Sequence, residues 1–274
     1  MGSPILTGAG VGLRPCHYAS IETDRPDLAW FEVLSDNYLD DNGPGLSHLE
    51  KIRAAYPMTL HGVGMSLGST DPINFSYLHK LKRLITRFEP TIVSDHLCWT
   101  SFANQYFHEL LPLPYTQEAI LHCASRIRQV QDFLGQRILI ENVSSYLCFK
   151  HSEFTEWQFL QYVAEEADCL ILLDINNIYV SANNNGFNPD DYLDLLSTDR
   201  VAQFHLAGFE DHHSYLLDNH GTAIDAAVWQ LYIKALKKFG SQPTIIERDN
   251  QIPQLDLLIA EAKIARHLME KNLP

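Results

Sequence analysis

Basic residues are scarce in this chain of 274 residues, which carries 20 Lys and Arg against 34 Asp and Glu and a formal net charge of −14. Proteins that bind nucleic acid usually present a basic patch, so this deficit argues against that class. No apolar stretch approaches the roughly 20 residues of a membrane-spanning helix. We therefore expect a protein that acts away from both nucleic acid and the bilayer.

Cysteine is also scarce, and the number is odd, with no C-x-x-C pair: Cys16, Cys98, Cys123, Cys148 and Cys169. This pattern argues against a disulfide framework and favours a reducing, cytoplasmic compartment. The first residues lack a basic stretch followed by a long apolar core, so we expect no secretory signal. Cys98 and Cys148 follow strand ends, and we interpret both as small buried hydrophobes.

Linkers rich in Pro or Ser and shifts in composition are absent, which favours a single domain over residues 1–274. What recurs is a short apolar run, a polar residue at its end, and then a helical pattern. The runs cover residues 11–15, 29–34, 58–63, 91–97, 138–143, 170–177, 201–208 and 243–249. Helical patterns cover residues 46–56, 75–88, 115–134, 153–167, 188–197, 223–240 and 252–269.

This alternation predicts an α/β fold, a (β/α)8 TIM barrel, with a doubly wound open sheet as the alternative. The segment after the first run is too short and polar to predict a helix there. The glycine-rich stretch at residues 8–13 precedes a strand instead of following one, so it does not predict a dinucleotide loop.

The polar residues at the ends of the runs are of the types that bind metals. In a barrel, the carboxyl ends of all strands meet at one face, where catalytic residues lie. The candidates are Glu32, His61, His96, Glu141, Asp174, Asn177, His205 and Glu247, with Asp218 and His220 on the loop after the seventh run. Converging carboxylates would repel one another unless cations neutralise them. Oxygen and nitrogen donors without thiolate indicate iron, zinc or manganese, and so many donors indicate more than one ion.

Each candidate also has an ordinary interpretation when taken alone. A single strand-end histidine is more often a hydrogen-bonded core residue, Asp174 can cap a following helix, and Glu32 can pair with an arginine. We expect several other polar residues to be non-ligands: His108, His151, Asp211, His212 and His213. The recurrence of ligand-type residues on successive strands is what favours a metal site.

Several motifs occur together in one order: LHGVGMSLGS (60–69), SDHLCW (94–99), LLPLPYTQEA (110–119), ENVSSYL (141–147), LLDINNIYVSANN (172–184), HLAG (205–208), DNHG (218–221) and IERD (246–249). This series resembles the bacterial multinuclear non-haem iron-dependent oxidases, a family long catalogued as a domain of unknown function, which includes the methanobactin-biosynthesis oxidase. The resemblance covers about residues 10 to 265. It implies a xylose-isomerase-like TIM barrel with two or three irons of mixed valence at its mouth.

The resemblance also implies a ligand set. The first metal would take His61, His96, Glu141 and Glu247, and the second would take Glu141, Asp174, His205 and Glu247. The third would take Asn177, Asp218 and His220. The apurinic endonucleases of the superfamily have His where this chain has Asn177, so a weaker third site is implied. Glu141 and Glu247 would bridge as catalytic carboxylates, and Asp249 would lie beside the ligands or transfer a proton.

The activity implied by the resemblance is the O2-dependent modification of cysteine in a ribosomally made peptide, usually with a small leader-binding partner protein. One departure from the pattern of many family members is HLAGF in place of HLAGH, with Phe209 at the last position. This change would alter the pocket and not the ligands.

Three other functions share parts of this pattern. A metal-dependent phosphodiester hydrolase would need a basic groove, which this acidic chain does not indicate. A sugar isomerase or epimerase would need a Lys or His base and a closed, sugar-sized pocket. A metal chaperone or sensor would place its ligands on mobile loops more often than on strand ends.

Overall fold

The computed structural model describes residues 6–40, 42–103 and 105–272, and its centre is a closed barrel of eight parallel strands. Each strand pairs with its neighbour in sequence, and the last pairs with the first. The strands are β1 (Ala9–Gly12), β2 (Phe31–Leu34), β3 (Met58–Gly62), β4 (Val93–His96), β5 (Leu139–Glu141), β6 (Leu170–Asp174), β7 (Val201–Leu206) and β8 (Thr244–Ile246). The predicted (β/α)8 barrel is therefore confirmed, and the open sheet is not.

The helices lie between these strands along the chain: α1 (Tyr18–Asp24), α2 (Leu46–Arg53), α3 (Phe75–Phe88), α4 (Gln117–Leu134), α5 (Glu156–Ala167), α6 (Ile175–Asn185), α7 (Pro189–Leu195), α8 (Ala226–Phe239) and α9 (Leu255–Lys271). Helix α3 shows why they form, since Leu78, Leu81 and Leu84 recur on its buried face. Its first turn is capped by the Asn74 side chain, which accepts a hydrogen bond from the Tyr77 backbone N–H. None of the described helices is long and apolar enough to cross a membrane.

Two helices, α1 and α6, were not predicted. Helix α1 is short and polar, but it buries Tyr18 and Ile21 against the barrel, so packing overrides its composition. The predicted strand at residues 170–177 was wrong in its last three residues, because Asp174 ends β6 and caps α6. The Asp174 carboxylate accepts a 2.6 Å hydrogen bond from the Asn177 backbone N–H.

Two antiparallel hairpins after barrel strands were also missing from the sequence prediction. One joins Trp99–Phe102 to Gln105–Leu111 after β4, and the other joins Glu210–Asp211 to Leu216–Leu217 after β7. The predicted first run at residues 11–15 overlaps β1 only at its start.

The strand register determines which polar side chains share a level of the barrel. Leu34 pairs with His61, His96 pairs with Glu141, and Asp174 pairs with His205. Glu32 instead pairs with Thr59, two residues before His61, and β2 continues past it to Leu34. Because side chains two residues apart point to the same face, Glu32 lies one layer below the mouth, so the prediction that it ends its strand was wrong.

Gly208, in the HLAG motif after β7, permits a close approach between two segments. A Cβ atom at this position would lie 2.4 Å from the backbone oxygen of Thr222, a distance that no side chain tolerates. The loop that carries Asp218 and His220 can therefore approach the end of β7 closely because Gly208 has no side chain.

Candidate metal centre

The C-terminal mouth of the barrel brings together three adjoining buried groups of potential metal ligands. They are His61, His96 and Glu141; Glu141, Asp174 and His205; and Asp174, His220 and Glu247. Within each group the donor atoms lie within 4.8 Å of one another, which is close enough for one cation to contact all three. The groups share Glu141 and Asp174, so ions bound in neighbouring groups would lie side by side.

The first group is centred on one carboxylate oxygen. Glu141 Oε2 lies 3.2 Å from His61 Nε2 and 3.3 Å from His96 Nε2. The two imidazole rings are 4.6 Å apart between centroids and lie at 64° to each other. Both Nε2 atoms therefore converge on Glu141, as expected for ligands of one ion.

The other two groups continue across the mouth. His205 Nδ1 lies 3.0 Å from Glu247 Oε2 and 3.4 Å from Glu141 Oε1. His220 Nε2 lies 2.6 Å from Asp218 Oδ1, and its Nδ1 lies 3.5 Å from Glu247 Oε2. Glu247 and Glu141 thus both face His205, and the bridging role of these two carboxylates stays a prediction.

Several buried ligand-type atoms of this cluster have ionisable neighbours but make no hydrogen bond of acceptable geometry among the described residues: Glu141 Oε2, Asp174 Oδ2, His205 Nδ1 and His220 Nε2. Buried polar atoms are normally satisfied, and leaving one unsatisfied costs about 1–3 kcal/mol. All four belong to predicted metal ligands. The residues present therefore fit bound cations, which would satisfy these atoms together.

In each of the four histidines, one ring nitrogen has a specific partner that belongs to none of the three groups. His61 Nδ1 lies 2.9 Å from Ser94 Oγ, and His96 Nδ1 lies 3.2 Å from the Gly62 carbonyl oxygen. The corresponding partners of His205 and His220 are the carboxylates of Glu32 and Asp249. Such outer contacts orient metal-binding histidines and select their tautomer.

Burial and charge divide the four histidines into two pairs. Burial lowers the pKa of His61 and lowers that of His96 to about 4, so both are neutral and available as ligands at pH 7. Burial also opposes the charged form of His205, but Glu32, Glu141 and Glu247 outweigh it and raise the pKa well above the ordinary value. Burial opposes the charged form of His220 as well, but the neighbouring Asp218 carboxylate outweighs it and raises the pKa of His220 well above the ordinary value.

The pKa values of two carboxyl groups in the cluster, Asp174 and Glu247, are shifted in opposite directions. Burial and the neighbouring Glu141 raise the pKa of Asp174 well above its usual range. Burial acts in the same sense on Glu247, but the charges on His205 and His220 overcome it and hold the pKa of Glu247 well below that range. Without cations the cluster thus retains protons, and cations would displace them.

Asn177 and Asp218 border the cluster without belonging to its three groups. Asn177 Oδ1 accepts a 3.0 Å hydrogen bond from Ser144 Oγ, and its Nδ2 donates to the Asn142 carbonyl oxygen at 3.0 Å. Asp218 Oδ1 accepts a 2.9 Å hydrogen bond from Asn176 Nδ2. The amide of Asn177 is thus engaged on both sides, and its role as a ligand of a third ion stays a prediction.

His220 itself has a left-handed backbone, with φ of 49°. This conformation is uncommon for a residue with a side chain and costs on the order of 1 kcal/mol. The Asp249 backbone N–H donates a 3.1 Å hydrogen bond to the His220 carbonyl and helps to hold the conformation. The loop therefore keeps an unfavourable backbone geometry where the His220 ring enters the cluster.

Glu32 has a histidine as its charged partner. Its carboxylate contacts His205 Nε2 at 2.6 Å, so the ordinary alternative of a pair with an arginine does not hold. The pKa of Glu32 is lowered because His205 outweighs the effect of burial. A sequence-only argument could not find this contact, because β2 and β7 are brought together only by closure of the barrel.

Arg14 was missed by the sequence analysis. It follows β1, and its Nη2 contacts Asp249 Oδ1 at 2.5 Å while its Nε donates to the Arg248 carbonyl at 2.7 Å. Asp249 Oδ2 in turn lies 3.0 Å from His220 Nδ1. The signal that could have found Arg14 is the charged residue after an apolar run, the same criterion that selected the ligands.

The residues expected to be non-ligands lie on the surface and in none of the three groups: His108, His151, Asp211, His212 and His213. Cys98 is buried, as predicted, and burial raises the pKa of its thiol. Cys148 is exposed, so the prediction that it is buried was wrong; its Sγ lies 3.1 Å from Asn185 Oδ1. The Phe209 ring stacks on Tyr179 with 5.4 Å between centroids.

The barrel and its buried histidine and carboxylate groups define a xylose-isomerase-like TIM barrel with a site that can hold metal ions. The D-psicose 3-epimerase of Clostridium cellulolyticum superimposes with a TM-score of 0.65 at 10% identity, covering 97% of this chain and 99% of that one. Endonuclease IV of Thermus thermophilus gives a TM-score of 0.63 at 14% identity, covering 96% and 99%. At such identities the likeness concerns the fold alone.

Sequence comparison identifies the family. Residues 8–270 match the family described as RiPP precursor modification enzyme MbnB/TglH/ChrH, and the chain belongs to it. A UPF0276 protein of Acaryochloris marina is 56% identical over 269 residues, covering 98% of this chain and 97% of the relative. A UPF0276 protein of Anaeromyxobacter sp. is 49% identical over 260 residues, covering 95% and 92%. The resemblance read from the motifs is confirmed, and membership implies an enzyme that acts on a ribosomally made precursor peptide.

Proposed function

We propose that this protein is a multinuclear iron-dependent oxidase that uses O2 to modify cysteine residues of a ribosomally made peptide. The observation that carries the proposal is the sharing of Glu141 and Asp174 between adjoining buried groups, which favours two or three neighbouring ions over one. Family membership supports the peptide substrate.

We assign the ions to the residues in the order implied by the resemblance. The first ion is held by His61, His96, Glu141 and Glu247; the second by Glu141, Asp174, His205 and Glu247; and the third by Asn177, Asp218 and His220. The donors are imidazole nitrogen and carboxyl or amide oxygen without thiolate, which suits iron and also zinc or manganese. A structural neighbour, the IOLI protein, was solved with a binding zinc atom. Iron, when bound, supplies one-electron redox chemistry and an open position for a substrate thiolate.

The chain's own residues provide positioning and proton transfer. Glu141 and Glu247 hold the donor atoms of neighbouring groups at fixed separations. Asp249 is oriented through both carboxylate oxygens, by Arg14 and by His220, and its side chain is 44% exposed at the mouth. In this role Asp249 accepts a proton from the bound peptide.

Apolar side chains around the mouth provide a surface for a peptide. Phe102, Tyr106 and Phe107, on the hairpin after β4, and Tyr146, on the loop after β5, are exposed. The Tyr146 hydroxyl accepts a 2.7 Å hydrogen bond from the Asp218 backbone N–H, which links this surface to the cluster. We also propose that a small leader-binding partner protein presents the peptide, and that residues 1–274 act as one barrel domain in the cytoplasm. Residues 1–5, at the start of that range, lie outside the described residues.

The decisive experiment is to purify the protein anaerobically from iron-supplemented cells and to measure metal content and Mössbauer spectra on one sample. The expected result is two or three irons per chain with coupled ferrous and ferric signals. Incubation with O2 and a cysteine-containing precursor peptide encoded beside the gene should then change the peptide mass. Stoichiometric zinc without iron, together with an unchanged peptide, contradicts the proposal.

A metal-dependent phosphodiester hydrolase is the second candidate, because the fold of endonuclease IV superimposes on this chain. The net charge of −14 opposes it, since hydrolases of DNA need cationic contacts to phosphate. Cleavage of abasic duplex DNA by the zinc-loaded protein, lost on chelation, would favour the hydrolase over the oxidase.

A further inference from the structure

Glu32 lies inside the barrel directly beneath the metal centre, outside the proposed ligand set. Its carboxylate is buried and faces three donors: Thr59 Oγ1 at 2.9 Å, Gln203 Nε2 at 2.6 Å and His205 Nε2 at 2.6 Å. A buried carboxylate is costly unless it is paired and hydrogen-bonded, and Glu32 meets both conditions. It is thus held in one orientation from three sides.

The contact with Glu32 determines which nitrogen of His205 carries a proton. An ionised carboxylate can only accept hydrogen bonds, so His205 Nε2 must be the donor. The other nitrogen, Nδ1, faces the carboxylates of Glu247 and Glu141 in the cluster, so a cation bound there would replace any proton on Nδ1 and leave the proton on Nε2. In neutral imidazole, a proton on Nε2 leaves the lone pair on Nδ1.

We propose that Glu32 is a positioning residue that fixes the Nε2–H tautomer of His205, so that His205 binds its ion through Nδ1. This inference rests on the proposed metal-binding function of the cluster. Thr59 and Gln203 complete the arrangement by preventing rotation of the Glu32 carboxylate.

His205 differs in this respect from the two histidines of the first group. His61 and His96 present Nε2 to Glu141 and have neutral partners on Nδ1, a serine hydroxyl and a backbone carbonyl. His205 presents Nδ1 and has an anionic partner. A carboxylate that accepts from the distal N–H raises the basicity of the ligating nitrogen, so loss of Glu32 should weaken the ion at His205 most.

The tautomer can be measured directly in the wild-type protein. Zinc-loaded protein labelled with 15N-histidine would be examined by long-range 1H–15N correlation spectra, with His205 assigned from the spectrum of His205→Gln. The expected pattern is a protonated Nε2 and a metal-bound Nδ1 for His205, with the reverse for His61 and His96. A metal-bound Nε2 on His205 overturns the inference.

A second experiment measures affinity with cobalt as the probe. Metal-free protein is titrated with Co2+ and followed by visible absorption, with circular dichroism and thermal melting of the metal-free variants as folding controls. Glu32→Gln should weaken one binding step by about 10- to 100-fold, and Glu32→Asp should recover part of the loss. The matched control Glu156→Gln makes the same replacement at a carboxylate that is hydrogen-bonded to Ser145 and Tyr115 outside the cluster, and should change affinity less than about threefold.

The outcomes separate the two proposals. If wild-type protein binds neither Co2+ nor Zn2+, the metal function fails and the role of Glu32 fails with it. If wild type binds both ions and folded Glu32→Gln binds Co2+ as tightly as wild type, only the role of Glu32 is overturned. Should Glu32→Gln not fold, the tautomer spectrum of the wild type still decides.

Discussion

Glu141 is the residue on which the arrangement of the cluster depends most. Its two oxygens face different groups, with Oε2 toward His61 and His96 and Oε1 toward His205. The side chain is buried at the end of β5, where the strand fixes its direction. An amide at this position would keep the shape but place an N–H against the lone pairs of the histidines or a cation.

We expect Glu141→Gln to lose at least one bound ion and to lower kcat by at least about 100-fold, because the amide removes one charge and one donor from two groups. Metal content by elemental analysis and turnover of the precursor peptide measure the effect. His151→Gln, which changes an exposed histidine outside the cluster, is the matched control and should match wild type. Full metal content in folded Glu141→Gln would contradict the shared position of this carboxylate.

Arg14 contacts Asp249 directly and lies 3.8 Å from the proposed ligand Glu247, so its replacement acts mainly on Asp249. Arg14→Gln removes the 2.5 Å contact that orients Asp249 Oδ1. We expect kcat to fall about tenfold with unchanged metal content, because Asp249 is then oriented only by its contact with His220. Steady-state kinetics on metal-quantified protein test this. Loss of metal in Arg14→Gln would instead place Arg14 among the residues that hold the ions.

At the scale of the elements, the sequence predicted barrel strands well because their apolar runs are short and regularly spaced. It placed His61, His96, Glu141 and Asp174 at strand ends for the same reason. Glu32 was assigned a wrong level, because it is the last polar residue of its run but lies two residues before the end of β2, and its contact with His205 depends on closure of the barrel. The hairpins after β4 and β7 were missed because their strands pair locally above the barrel and do not follow the strand–helix alternation.

Helix α5 begins with an acid whose carboxyl group is buried, and this gives a measurable pH dependence. Glu156, its first residue, accepts hydrogen bonds from Ser145 Oγ at 2.5 Å and Tyr115 OH at 3.2 Å. Burial raises the pKa of Glu156 from 4.5 to about 7. The group therefore binds a proton more tightly in the folded state, and its contribution to stability is full below pH 4.5 and is lost as pH rises through about 7.

We expect Glu156→Gln to remove this contribution, because the neutral amide keeps an acceptor for both hydroxyls at every pH. The free energy of unfolding of wild type should fall between about pH 5 and pH 8 by about 3 kcal/mol more than that of Glu156→Gln. Urea unfolding of both proteins across this range measures the difference. Parallel pH profiles for the two proteins would show that Glu156 ionises in the folded state as it does in the unfolded chain.

At the scale of the whole molecule, the barrel mouth brings together carboxylates that repel one another. The net charge is −14, and several of the carboxylates responsible converge at the barrel mouth. In the metal-free protein, the protons retained by His205, His220 and Asp174 offset that repulsion. Cations bound at the mouth would offset the same repulsion without those protons, so we expect the stability of the fold to depend on metal.

Metal removal should therefore destabilise the protein in a pH-dependent way. The raised pKa values of His205 and His220 contribute stability to the metal-free fold that is full below pH 6.5 and is lost as pH rises through the folded-state values. Bound ions require both imidazoles to be neutral, so stabilisation by metal grows over the same pH range.

An ion present at about 100 times its Kd adds about 2.7 kcal/mol to the free energy of unfolding, which corresponds to roughly 5–10 °C in Tm. Thermal melts with and without chelator should diverge by that amount at about pH 8.5 and by less at about pH 6, and re-addition of Zn2+ should restore the higher Tm. A chelator effect that is equal at both pH values would mean that the ions do not displace protons from these histidines.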